Sequence, residues 1–376
     1  MKKSILVITE LFMPTKGGTA VWFDAVYPRL GGKEIHIVTA QVAGDQKHDQ
    51  PHANTIHRLK LERTRWLRPE SLAMYLKLFL KCFSLMITHR FDAVHAGRVL
   101  PEGLVGWCVA RIFRKPLVVY AHGEEITTWR DSGKFKAMVF TYTHADKVIA
   151  NSEFTQRELL KLGVAEKNIV LIYPGVDIKR FRPGLPIDDL RQSVGCKKTD
   201  KLILSVGRLS RRKGFDQVIR CVAQLLPKHP GLQYAIIGTG EDQQYLTDLA
   251  KKHQVEKQVH LLGHVSVDDL PRWYNAADIF TMPNREINGD TEGFGMVFIE
   301  ASACGTPVIA GNAGGTESSV KEGVSGYRVD GNTTEQLAEK LNILLDADAN
   351  QWGQQGREWA ENNFSWEKVA LKTAQI

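Results

Sequence analysis

Residues 202–214 read L-I-L-S-V-G-R-L-S-R-R-K-G: a short apolar run, a glycine where the run stops, and a basic loop that opens a helix. A strand that hands over to a glycine loop and then to a helix is the repeating unit of a parallel sheet with crossover helices. The first strand candidate, Ser4–Thr9, does the same through P-T-K-G-G-T at 14–19, so the pattern starts twice. The first series of strands is Ser4–Thr9, Ile35–Thr39, Ala93–His95, Leu117–Ala121 and Lys147–Ala150, with helices such as Ala20–Leu30, Leu72–Thr88 and Ser152–Leu162. The second is Leu202–Gly207, Tyr234–Gly238, Val259–Leu262, Ile279–Met282 and Pro307–Ala310, with helices including Gly214–Leu226, Asp242–His253, Gly295–Ala303 and Thr334–Leu345. Between them, 173–186 carries Pro174, Gly175, Pro183, Gly184 and Pro186, a linker composition. The expected fold is α/β: two Rossmann-like doubly wound parallel-sheet domains, 1–180 and 181–360, facing across a cleft. Residues 361–376 are expected to form a C-terminal helix that packs back on the first domain. In such folds ligands bind at the carboxyl ends of strands, so the segments just after each strand carry the functional reading.

The chain of 376 residues is long enough for two such cores, and its 43% hydrophobic and 24% charged residues are those of an ordinary globular protein. No stretch approaches the ~20 apolar residues that span a bilayer. The start, M-K-K-S-I-L-V-I-T-E, has the outline of a signal peptide, but its apolar run ends at Glu10 and reads better as a buried strand. Five scattered cysteines (Cys82, Cys108, Cys196, Cys221, Cys304), with no C-x-x-C pair, suggest neither a disulfide framework nor a zinc site and fit a reducing cytoplasm. The net charge of +7 is unevenly spread. Residues 1–180 hold 27 Lys+Arg against 17 Asp+Glu, so all the basic excess lies in the first half. That asymmetry points to an anionic partner there, with clustered solubility charge as the plainer reading.

Four segments carry chemistry. Gly17-Gly18 precede a helix, where backbone N–H groups and the helix dipole favour an anion; the same residues also make an ordinary strand-to-helix turn. In G-R-L-S-R-R-K-G at 207–214, Arg208 and Lys213 stand at a strand end, where two cations can neutralise a diphosphate. Gly238-Thr239-Gly240-Glu241 reads either as a close-approach loop or as a capped turn. The most informative segment is D-T-E-G-F-G-M-V-F-I-E-A at 290–301. Here Glu292 lies in the loop, Gly293 and Gly295 leave backbone amides accessible, and Glu300 falls within about 8 Å of the helix start. Carboxylates repel a phosphate unless they bind hydroxyls, so this pairing argues for a polyol ligand.

Gly17-Gly18, the R-x4-K pair Arg208/Lys213 and the E-x7-E pair Glu292/Glu300, in this order, resemble the retaining GT-B glycosyltransferases of glycosyltransferase family 4. Asn151–Thr155, Pro174–Asp177 and Gly314-Gly315 are similar to further landmarks, so the resemblance covers nearly the whole chain. It implies that Arg208 and Lys213 bind the donor diphosphate and stabilise it as it leaves. Glu300 would hold the ribose and Glu292 the donor-sugar hydroxyls. The Phe294, Gly295 and Met296 amides would face sugar and phosphate, with Gly17-Gly18 on the distal phosphate. His122, in Y-A-H-G-E-E, matches the family histidine that contacts the transferred sugar; Gly238 and Val265 join the donor site, the base lying near 263–265. Ser318 departs from the proline-acid pair of many relatives, which leaves the role of Glu317 open.

The resemblance further implies transfer with retention, the departing diphosphate helping to deprotonate the acceptor. Arg208 and Lys213 would do what a metal does elsewhere, so no metal or other cofactor is expected, and the Asp290/Glu292 D-x-E spacing reads as coincidence. The expected partners are a UDP- or GDP-sugar donor and a glycan or lipid-linked acceptor. The segment Arg58–Arg90 interleaves Arg63, Arg65, Trp66, Arg68, Lys77 and Lys81 with Leu72, Tyr75, Leu76, Phe79, Leu80 and Phe83. That composition fits a helix in an anionic membrane interface, or a crossover helix with a basic edge. The expected location is therefore the cytoplasm or the inner face of a membrane. Nothing resembles a recognition helix or base-stacking platform, so nucleic acid is not expected. A nucleotide-sugar 2-epimerase of the same architecture, or a non-catalytic nucleotide- or sugar-binding protein, is the alternative.

Overall fold

Strands buried on both faces of a parallel sheet need apolar side chains at every position rather than at alternate ones. The first strand shows this directly: Ile5, Leu6, Val7 and Ile8 are all buried. The computed structural model describes residues 3–15, 17–61, 72–347 and 349–376. Two compact units emerge, Met1–Pro174 with Trp366–Ile376, and Gly175–Ser365.

The first unit carries β1 (Ile5–Ile8), β2 (Ile35–Ala40), β3 (Thr55–Leu59), β4 (Ala93–Ala96), β5 (Leu117–Ala121), β6 (Lys147–Ala150) and β7 (Ile169–Leu171). They form a sheet in the order β3-β2-β1-β4-β5-β6-β7, every pairing parallel. The second unit carries β8 (Leu202–Val206), β9 (Gln233–Ile237), β10 (Val259–Gly263), β11 (Ile279–Met282), β12 (Val308–Gly311) and β13 (Gly326–Val329). Its order is β10-β9-β8-β11-β12-β13, again parallel throughout. Each is thus a doubly wound sheet whose strand order reverses once, between β1 and β4 and between β8 and β11. At such a reversal the loops leaving the two central strands diverge to opposite faces and open a crevice at their carboxyl ends.

The edge strands β3, β7 and β13 do not appear among the strands expected from sequence. The reasons differ: β3 reads T-I-H-R-L, interrupted by polar residues as a half-solvated edge allows, while β7 is apolar as I-V-L but has only three residues. The expected boundaries also move. The chain leaves the first unit at Pro174–Gly175 and returns at Ser365–Trp366, so 175–180 and 361–365 belong to the second unit. The Val176 N–H donates to the Phe364 carbonyl at 2.7 Å, which sets both ends of the second unit side by side. The helix Trp366–Ala374 then packs on Gly18–Val26 within the first unit, with Arg29 paired to Glu367 at 3.2 Å. All five cysteines are free.

Backbone approach at the carboxyl edge of the second sheet explains Gly238. A Cβ there would sit 1.8 Å from the Gly207 carbonyl oxygen, and its φ of +144° lies where L side chains are strained. This glycine is thus demanded by loop-to-loop packing. Gly238→Ala is expected to cost about 2–4 kcal/mol, read as a drop of several degrees in the melting midpoint. An unchanged midpoint would show that the two loops separate freely.

Candidate active site

The two chemical segments of the second unit follow the two strands that flank its reversal, β8 and β11. After β8, Gly207 leads into a single turn of 3-10 helix, Arg211–Lys213, before the helix Phe215–Leu225. After β11 the chain runs through 283–295 into the helix Met296–Ala303. The loops are joined where the Arg285 N–H donates to the Arg212 carbonyl at 2.8 Å. Lys213 and Glu292, 79 residues apart, meet there: Lys213 Nζ lies 2.5 Å from Glu292 Oε2. Arg212 Nη1 reaches the same oxygen at 3.1 Å, and Arg212 Nε lies 3.0 Å from Asp290 Oδ1. Burial alone would raise the Glu292 pKa, but the Lys213 ammonium and Arg212 guanidinium overcome it and hold the carboxyl below its ordinary 4.5.

The Glu292 main chain is fixed as well, its carbonyl accepting from the Gly315 N–H at 2.7 Å. Gly295 takes a left-handed conformation (φ +87°) as N-cap of the Met296–Ala303 helix, the turn that a side chain would resist. Phe294 is buried, and its carbonyl accepts from Ser319 Oγ at 2.7 Å. The Phe298 N–H of the first turn bonds the Gly295 carbonyl at 3.1 Å, and the N–H groups ahead of it have the orientation that suits an anion. Glu300 stands on the next turn and accepts from Tyr274 Oη at 2.9 Å. Burial raises its pKa above the ordinary value, with Tyr274 and Arg180 pulling against that rise. The two acids of the E-x7-E motif are therefore pushed in opposite directions.

Arg208 does not join the Lys213–Glu292 cluster. Its side chain is 75% exposed and pairs at 3.1 Å with the exposed Glu241. Such a surface pair holds its members weakly, which leaves Arg208 able to swing to a ligand. Glu241 therefore answers Arg208 rather than capping the helix Gln243–Lys252, whose N-cap is Asp242. Val265 is half-buried in the loop after β10.

In the first unit, Gly17 caps the helix Gly18–Val26, and among the described residues other than its chain neighbours a Cβ on it would meet nothing within 4 Å. Lys16 lies outside the described residues. His122 follows β5, and its Nε2–H donates to the Gly97 carbonyl at 2.8 Å, leaving Nδ1 as a hydrogen-bond acceptor. Burial lowers the imidazole pKa; Glu125 opposes this and Arg98 adds to it, the net direction being down. Glu125 braces the loop from below, accepting from the His122 N–H at 2.9 Å and from Tyr142 Oη at 2.5 Å. Among the described residues, the group with metal-ligand spacing is Asp24, His48 and His52. There His52 Nδ1 accepts the Asn54 N–H at 3.1 Å, which puts the ring proton on Nε2, the atom facing Asp24, in place of a ligand lone pair.

Of the segment Arg58–Arg90, Arg58 lies on β3, bonded to Asp49, while Leu72–Thr88 is a helix; Arg63, Arg65, Trp66 and Arg68 lie outside the described residues. Among the described residues no helix is long and apolar enough to cross a membrane.

Residues 17–180 match the model described as Glycosyltransferase Family 4, and 186–359 match Glycosyl transferases group 1. A GDP-mannose-dependent monoacylated alpha-(1-6)-phosphatidylinositol monomannoside mannosyltransferase of Corynebacterium glutamicum is 30% identical over 100% of this chain and 97% of its own. The chain belongs to glycosyltransferase family 4. A GDP-mannose-dependent alpha-(1-6)-phosphatidylinositol monomannoside mannosyltransferase of Mycolicibacterium smegmatis is 28% identical over 99% of this chain and 97% of its own. The fold is also that of HepE from Anabaena, solved with UDP, with a TM-score of 0.82 at 22% identity over 99% and 98% of the two chains. This glycosyltransferase thus has the two Rossmann-like sheets of its GT-B structural neighbours.

Three residues of the second-unit cluster escaped sequence reasoning. In S-R-R-K-G nothing ranks Arg212 below or above its neighbours, Tyr274 carries no local signal, and Asp290 shows only the D-x-E spacing to Glu292, which reads as coincidence. The pairing of the β8 and β11 loops reveals Arg212 and Asp290, and the packing of the helix Asp269–Ala276 on Met296–Ala303 reveals Tyr274.

The opposed acids predict opposed pH behaviour. Glu292 has a lowered folded pKa, so it stabilises the protein above the ordinary value of 4.5, and that contribution is lost as pH falls through the folded pKa. Glu300 has a raised folded pKa, so stability falls as pH rises from the ordinary value of 4.5 through the folded pKa, and the loss is complete above it. Near neutral pH, Glu292→Gln should lower the unfolding free energy while Glu300→Gln raises it, each by about 1 kcal/mol, read as opposite shifts of the melting midpoint. Melting curves from neutral to acid should show both gaps closing. Shifts of the same sign would refute the assignment.

Proposed function

We propose that this glycosyltransferase moves mannose from GDP-mannose, with retention at the anomeric carbon and without a metal ion, to a lipid-linked or glycan acceptor. The observation that carries the reading is the juxtaposition, in one unit, of an ionised acid held by two cations with an open helix N-terminus and a second acid one turn on. Cations and amides suit a diphosphate, and acids suit the hydroxyls on either side of it. In this scheme Arg208 swings from Glu241 to the diphosphate and Lys213 turns to it as charge develops on the leaving group. The Met296-side amides take a phosphate oxygen, and Gly238 and Val265 line the base. Glu300 accepts from the ribose and Glu292 from the sugar. His122, neutral with Nδ1 available, accepts from a hydroxyl of the transferred sugar, and Gly17-Gly18 take the distal phosphate. The full-length relatives that use GDP-mannose support this donor over a UDP-sugar.

The acceptor half fits the same scheme. The helix Leu72–Thr88 exposes Leu72, Leu76, Leu80 and Ile87, with Ile112 exposed on the neighbouring helix Leu104–Phe113. Lys77, Arg90, Arg111 and Arg114 are exposed on these helices or just after them. Apolar residues at helical spacing beside cations suit an anionic lipid surface, where a lipid-linked acceptor would sit.

Calorimetry with GDP and UDP should give tight binding of GDP alone, lost in Glu300→Ala and weakened at least tenfold in Arg208→Ala. NMR of the first product formed from GDP-mannose, with EDTA present, should show an α-linked mannose. Tight UDP binding would transfer the reading to a UDP-sugar, binding of neither nucleotide would end it, and a β-linked product would exclude retention. Flotation should carry the protein with anionic vesicles at low salt, less so at high salt, and not at all for the double variant Leu76→Glu, Leu80→Glu. Equal flotation of both proteins would remove the membrane contact.

A further inference from the structure

Glu292 receives two cations on a single oxygen, and the two are not equivalent. Lys213 reaches Oε2 through one ammonium at the end of a flexible stem, at 2.5 Å. Arg212 reaches it at 3.1 Å with a guanidinium whose other edge is already on Asp290 at 3.0 Å. The Arg212 backbone is pinned too, since its carbonyl accepts the Arg285 N–H at 2.8 Å. Arg285 in turn is only 8% exposed, grips both oxygens of Asp216 at 3.0 and 3.1 Å, and donates to the Gly331 carbonyl. A buried ion pair thus anchors the residue that holds Glu292.

A diphosphate brought to the β8 loop competes for Lys213 with a larger negative charge than one carboxylate. Whatever Lys213 gives to the leaving group, Glu292 loses, and a carboxylate mostly withdrawn from water needs a cation that stays. We infer that Arg212 is the positioning residue of the sugar-binding acid: it keeps Glu292 ionised and aimed while Lys213 serves the diphosphate. Arg212 acts through Glu292 rather than on the donor, because its fork is divided between two acids and its side chain is only 17% exposed. Asp290, read from sequence as a coincidental neighbour, is the second prong that fixes the guanidinium plane. This inference rests on the donor-site reading above.

The test separates nucleotide affinity from turnover. The full chain would be compared as wild type, Arg212→Gln, Arg212→Lys, Asp290→Asn and Lys213→Ala, each checked by melting midpoint. Calorimetry would give the affinity for GDP, and release of GDP from GDP-mannose, with water taking the mannosyl group, would give kcat and KM; UDP and UDP-glucose replace them if UDP is the nucleotide bound. Arg212→Gln should keep GDP affinity within about threefold yet lower kcat by roughly 30-fold or more, the scale of losing one transition-state electrostatic contact. Arg212→Lys should recover about tenfold of that loss, because an ammonium can meet Glu292 but not Asp290 as well. Asp290→Asn, which keeps both cations, should lower kcat only about threefold to fivefold. Lys213→Ala should lower GDP affinity and kcat together. The inference is overturned if Arg212→Gln turns over like wild type, if its GDP affinity and kcat collapse together, or if Arg212→Lys is no better than Arg212→Gln. Wild type that binds neither nucleotide would instead overturn the donor-site reading, so the two failures are distinguishable.

Discussion

A carboxylate withdrawn from water stays ionised only where positive charge is brought to it, and Glu292 imposes that condition on the second unit. The β11 loop supplies the acid and the β8 loop supplies Lys213 and Arg212. They can meet only because β8 and β11 are neighbours at the point where the strand order reverses. The rest follows from that adjacency. Arg285 ties the loops together, Gly238 lets the β8 and β9 loops close on each other, and Gly295 turns the chain so that the Met296–Ala303 helix begins beside the acid.

The two acids of the motif show how environment assigns roles to identical side chains. Glu292, between two cations, is a permanent acceptor with its charge kept. Glu300, beside Tyr274, sits where burial makes its charge costly, a strain that a bound polyol would relieve by donating hydroxyl hydrogens. His122 reaches a similar end by another route: burial lowers its pKa against the upward pull of Glu125 and the Gly97 carbonyl, and that carbonyl, by taking the Nε2–H, leaves Nδ1 as the acceptor. The surroundings of Glu292 and His122 thus keep each in the form that accepts hydrogen bonds, whereas burial works against that form at Glu300.

The fold alone is permissive about the donor. HepE shares it and was solved with UDP, while relatives of matching length are named for GDP-mannose. Side chains are a poor guide to the base, because the segment beside β10, Gly263-His264-Val265, would approach it mainly through its backbone.

The sequence by itself determined the fold class and the motif residues. Continuous apolar runs such as I-L-V-I and L-I-L-S-V belong to strands buried on both faces, and each functional segment follows a strand directly, so local pattern is enough to find it. The strands β3 and β13 were not legible because polar residues interrupt them, T-I-H-R-L and G-Y-R-V, and β7, although apolar as I-V-L, is only three residues long. Nor was the partner of Gly238, another backbone far along the chain. Tertiary structure alone decided which cation meets which acid: that Arg212, among three adjacent basic residues, reaches Glu292 and Asp290, that Arg208 stands apart with Glu241, and that Tyr274 supports Glu300. Periodicity reports whether a segment is buried, whereas the identity of its neighbour depends on strand order, which no local stretch of sequence encodes.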